Sequence, residues 1–70
     1  MKINWTGDMF AGRRRYELVE TTDDELVALA RCLIERGAEF TLEPYHATIW
    51  ELTAKREHED AIVAQVEGGS

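Results

Sequence analysis

Seventy residues with 44% hydrophobic and 31% charged side chains make one globular domain, too short for a second and too apolar for a disordered chain. A chain of this length buries only about 60–65% of its unfolded surface, and so thin a core leaves little room for a ligand pocket of roughly 300–1,000 Å³. Eight Lys and Arg against fourteen Asp and Glu set a formal charge of −6, which disfavours nucleic acid and anionic membrane as partners and favours a basic protein surface.

In chain order, Lys2-Ile3-Asn4-Trp5 reads as a first strand, joined through a Gly7–Gly12 loop to a second at Tyr16-Glu17-Leu18-Val19-Glu20, with Tyr16 and Leu18 on one side. A helix follows from Asp23 to Arg36. Thr22 and Glu25 form a capping box, and Asp23 and Asp24 suit the positive end of the helix dipole. Leu26, Leu29, Ala30, Leu33 and Ile34 recur at helical spacing, and Gly37 ends the helix in a left-handed conformation. Glu39-Phe40-Thr41-Leu42-Glu43 alternates as a half-buried strand does, and His46 to Leu52 reads as its returning partner. With Pro44-Tyr45 as a two-residue loop, Phe40 faces Ile49, Thr41 faces Thr48 and Leu42 faces Ala47. That register turns Glu39, Thr41, Glu43, Thr48 and Trp50 outward; a loop one residue longer turns Trp50 and Leu52 inward instead. Ala54 to Val66 reads as a second helix with a stripe of Ile62, Val63 and Val66 that Glu59 interrupts. The sum is an α+β domain over residues 1–67 of order ββαββα: a four-stranded antiparallel sheet with both helices on one face and the other face open. Gly68-Gly69-Ser70 is expected to be a disordered tail.

The charge is unevenly spread. Residues 1–15 hold Lys2, Arg13, Arg14 and Arg15 against Asp8; residues 16–51 hold nine acids against Arg31 and Arg36. The open face gathers Glu39, Thr41, Glu43 and Trp50 in the shorter-loop register, with Glu17 and Val19 beside them. Glu20, Asp23 and Asp24 extend an acidic rim at the helix start. Same-face residues repeat about every 6.6 Å along a strand, so these carboxylates form a row of fixed negative charge with an aromatic anchor. The expected partner-binding residues are therefore Glu17, Glu20, Asp23, Asp24, Glu39, Thr41, Glu43 and Trp50.

Reactive side chains are few. Cys32, the single cysteine, has no internal disulfide partner, and nothing in the sequence brings His46 or His58 to it as a base. Around His58 the positions three and four residues away are Ala54, Lys55, Ala61 and Ile62, so no helical metal pair exists. No catalytic residue, cofactor or metal site is expected. Arg13-Arg14-Arg15 precedes an aromatic strand and offers a nucleic-acid reading, but strand alternation sends Arg14 to the face opposite Arg13 and Arg15. Residues 1–10 hold no apolar run of signal-peptide length, and no stretch approaches the roughly 20 apolar residues of a membrane span; the chain is expected in the cytoplasm.

With its single-domain size, acidic block from Glu17 to Glu51, lone cysteine and hairpin-plus-helix plan, the whole chain resembles the small acidic anti-CRISPR proteins that phages encode. Those proteins share no common motif, so the resemblance transfers no functional residue. It implies a non-enzymatic inhibitor in the host cytoplasm that occupies a basic, nucleic-acid-binding surface of a CRISPR effector complex. Two other readings stand beside it. One is a small regulatory or structural interaction module, monomeric or homodimeric; the other is a nucleic-acid-binding domain led by Arg13–Arg15.

Overall fold

The computed structural model describes residues 1–68. Its elements are β1 (Lys2–Asp8), β2 (Arg13–Val19), α1 (Asp23–Glu35), β3 (Phe40–His46), β4 (Ile49–Lys55) and α2 (Glu59–Gly68), with single 3-10 turns at Phe10–Gly12 and Arg56–His58. The strands form one antiparallel sheet in the order β1-β2-β4-β3. This is the expected α+β arrangement of order ββαββα.

Period-two alternation decides which side chains meet the helices. Tyr16 and Leu18 of β2 and Leu52 and Ala54 of β4 point to one side, where they bury against Leu29 and Leu33 of α1 and Ile62 and Val66 of α2. Ile3, Phe40 and Leu42 fill the margins of this core from the two outer strands. The capping box at the start of α1 is fully formed: Thr22 Oγ1 accepts from the Glu25 backbone N–H, and the Glu25 carboxylate accepts from that of Thr22. Glu25 also binds the Met1 ammonium at 2.8 Å, which ties the first strand to α1. Thr21, itself buried, donates its hydroxyl and its N–H to the Thr48 carbonyl and so anchors α1 to the turn between β3 and β4.

Four expectations are corrected. The β3–β4 turn lies at Ala47-Thr48 rather than Pro44-Tyr45, and the pairs are Phe40 with Ala54, Leu42 with Leu52 and Pro44 with Trp50. Burial sets this register, because it stacks the apolar set of β3 on the apolar set of β4. Pro44 is tolerated because β3 is an outer strand, where a missing N–H need not break the ladder. Trp50 therefore lies on the helix side, opposite both Leu18 and Pro44. The second helix starts at Glu59, not Ala54: Thr53 and Ala54 pair with both β2 and β3, Lys55 pairs with Arg13 of β2, and Leu52 and Ala54 alternate as core residues of a central strand. The first strand extends through Gly7 to Asp8. A Cβ at position 7 would come within 2.7 Å of Cζ2 of the Trp5 indole, so glycine is needed inside this strand for close approach of a ring rather than for a turn. The tail loses Gly68, which closes α2; Gly69 and Ser70 lie outside the described residues.

Candidate functional site

The face of the sheet turned away from the helices carries an ordered set of polar side chains. Glu17 on β2 pairs with Glu51 on β4, Glu51 pairs with Glu43 on β3, and Trp5 on β1 pairs with Glu17. One row thus crosses all four strands as Trp5, Glu17, Glu51, Glu43. Neighbouring strands lie about 4.8 Å apart, so three carboxylates stand side by side. Like charges directly opposite each other destabilise a sheet. Two of the three have some relief: Asn4 Nδ2 donates to Glu17 at 2.7 Å, and Arg15 Nη1 lies 3.7 Å from Glu51. Glu43 has no ion-pair or side-chain hydrogen-bond partner among the described residues.

The next row along the strands is Gly7, Arg15, Thr53, Thr41, in which the Arg15 guanidinium and two Thr hydroxyls can donate beside the line of acceptors. Beyond it Arg13 pairs with Lys55, and Glu39 joins Arg13, Phe40, Thr41 and Thr53 around a shallow depression of about 90 Å³. On the other side of the carboxylates, Val19 pairs with Lys2, and Ile49 pairs with His46. The face is therefore polarised, basic near Arg13 and Lys55 and acidic across its middle. Trp5 remains 54% exposed, its indole lying over Gly7 at the β1 end of the acidic row.

Of the residues expected at the site, Glu17, Glu39, Thr41 and Glu43 share this face. Trp50 does not; its register turns it, half-buried, to the helix side. Glu20 sits just past β2 with a left-handed φ of 55° and is bound by Lys2 Nζ at 3.2 Å. Asp23 and Asp24 occupy the first turn of α1, in the helix layer, and so fall outside the row. Sequence reasoning missed Glu51 and Trp5. Glu51 lay within the expected strand His46–Leu52, but the shorter-loop register that turned Trp50 outward turned it inward, and the observed register reverses both; the side of Trp5 follows from its pairing with Glu17.

The arginine run divides as alternation predicts. Arg14 turns to the helix side, where Nη1 lies 3.3 Å from Glu59, Nη2 donates to Thr6 Oγ1 at 3.0 Å, and Nε lies 3.9 Å from Asp8. Arg56 joins Asp8 at 3.8 Å. This group surrounds Tyr16, whose hydroxyl is buried without a hydrogen-bond partner; burial, and after it the Glu59 charge, raises its pKa above the ordinary 10.0. Glu25 shows the opposite effect. Hydrogen bonds from the Met1 ammonium and from Thr22 hold its carboxyl below its ordinary value.

Among the described residues no group of three or more His, Cys, Asp or Glu is placed to hold a metal ion, and no helix is long and apolar enough to cross a membrane. Cys32 is half-buried on α1. Comparison of the chain with protein-family models, curated proteins and solved structures gives no match. What the arrangement offers chemically is an array of charges held at strand spacing with one aromatic ring at its border.

Proposed function

We propose that this chain is a non-enzymatic binding protein whose open sheet face meets a basic protein surface, and that it inhibits a bacterial defence complex by covering the surface where that complex holds nucleic acid. The observation that carries the reading is the row Glu17, Glu51, Glu43 ending on Trp5. Three carboxylates in adjacent strands repel one another in the free protein, and a row of Lys or Arg side chains across an interface converts that repulsion into attraction. The exposed indole supplies the apolar centre that dominates many interfaces. The basic end at Arg13 and Lys55 orients the docking, since it excludes a uniformly cationic surface from covering the whole face. A phage-encoded inhibitor acting in the host cytoplasm on a CRISPR effector complex fits this chemistry and the small size of the chain.

The test is a binding titration against purified CRISPR effector complexes, with labelled guide or target nucleic acid as competitor. Affinity is expected to fall steeply between low and high salt. Charge reversal at Glu17 and Glu43 is expected to weaken binding by at least tenfold, while reversal at the exposed Glu57 leaves it nearly unchanged. Equal loss from both sets, or binding that leaves nucleic acid in place, defeats the proposal.

A further inference from the structure

We infer that, in the free protein, the open sheet face pairs with a second copy of this chain about a two-fold axis. This goes beyond the partner proposed above and does not depend on it. The ground is the order of the two central rows. Donors stand in one, Arg15, Thr53 and Thr41, and acceptors in the other, Glu17, Glu51 and Glu43. Rows on one face are about 6.6 Å apart along the strand. A two-fold axis running across the strands, midway between these rows, lays the donor row of each protomer on the acceptor row of its partner.

Every contact in such an interface occurs twice. Arg15 of one copy meets Glu17 of the other, and the Thr53 hydroxyl meets the Glu51 carboxylate. The same operation brings the two Trp5 indoles, each seated over the Gly7 of its own chain, against one another at the β1 end of the interface. It also lays the alkyl stems of Arg13 and Lys55 over Val19 and Ile49, half-buried apolar residues on this otherwise polar face. Twisted sheets pack face to face at about 30°, so the match is closest on the central strands β2 and β4 and opens toward the outer ones. Each carboxylate of the row then meets a donor of the partner, the Arg15 guanidinium at Glu17 and a Thr hydroxyl at Glu51 and at Glu43, rather than water alone. A more cationic surface competes for the same carboxylates by displacing the second copy.

Sedimentation velocity on the whole chain, from about 10 μM to about 1 mM and at ionic strengths of about 0.05 and 0.5 M, tests the pairing. A dimer is expected at the upper concentrations in low salt, shifting toward monomer in high salt. Arg15→Glu and Glu17→Arg, each alone, place like charges in two symmetry-related contacts and are expected to loosen self-association by about tenfold or more. The double exchange, Arg15→Glu with Glu17→Arg, restores complementarity and should restore the dimer. Circular dichroism checks the fold of each variant. If Arg15→Glu fails to fold, Trp5→Ala, which removes a 54% exposed ring, provides the weakening variant instead. A monomer throughout the range at low salt overturns the inference. So does a dimer indifferent to salt or to the face variants, or one dissolved only by Val27→Glu with Ile34→Glu on the exposed side of α1.

Discussion

Removing one charge from the carboxylate row should make the protein more stable. Glu43 is the cleanest site: it lies on an outer strand, is exposed, and has Glu51 as its cross-strand neighbour. With carboxylate centres about 5–6 Å apart, the repulsion is about 0.7 kcal/mol in a water-like dielectric, and about half that at physiological ionic strength. Glu43→Gln keeps shape and hydrogen bonding and deletes the charge. The expected gain is about 0.4–0.7 kcal/mol, which for a domain of this size raises Tm by about 2–5 °C. Glu51→Gln removes two such repulsions, toward Glu17 and Glu43, but gives up the 3.7 Å contact with Arg15, itself worth about 0.2–1 kcal/mol. Its net gain is therefore held near that of Glu43→Gln. Thermal unfolding followed by circular dichroism at about 0.02 and 0.5 M salt measures both, and the gains should shrink as the Debye length falls below the charge spacing. A lower Tm for Glu43→Gln in low salt refutes the reasoning. A gain that survives high salt refutes it too, because the cause would then not be charge.

Tyr16→Phe deletes a buried hydroxyl that has no partner, so unfolding free energy should stay level or rise by up to about 1 kcal/mol. The folded pKa of Tyr16 is raised, so its contribution is complete below the unfolded value of 10.0 and is lost as pH climbs through the folded value. Urea titrations on the alkaline side should show that loss in the wild type and a flatter profile in Tyr16→Phe. Thr22→Ala breaks the capping box at α1 and should cost about 1 kcal/mol. The folded pKa of Glu25 is depressed, so its contribution is complete above the unfolded value and disappears as pH falls through the folded one. Melting curves across the acidic range should accordingly slope less for Glu25→Gln than for the wild type.

The α1 helix was legible in the sequence because local signals agree there: a capping box, an apolar stripe and a terminal glycine all mark the same segment. The order of elements was legible for a similar reason. Register was not. Pro44 is a strong turn signal taken alone, yet the pairing of Phe40 and Leu42 with Ala54 and Leu52 outweighs it, and that preference exists only once the core is assembled. The same non-local effect moved Ala54 from helix to strand, since its neighbours on β2 and β3 lie far away in the chain. At the site, Glu17, Glu39, Thr41 and Glu43 followed from strand period, whereas the aromatic at its border proved to be Trp5 rather than Trp50. Trp50 moved inward with the register, and Trp5 took the border of the acidic row because Gly7 makes a seat for its ring. Asp23 and Asp24 belong to the helix dipole and cap rather than to the sheet.

Both margins of the sheet are spoiled for further growth. β3 is broken by Pro44 and a bulge before His46, and β1 by a bulge between Ile3 and Trp5. A stranger's strand finds only a short regular stretch to extend on either side, Trp5–Asp8 or Phe40–Glu43, which disfavours ribbon-like polymerisation and cross-β stacking. The open face of the sheet carries no such interruption on its central strands β2 and β4.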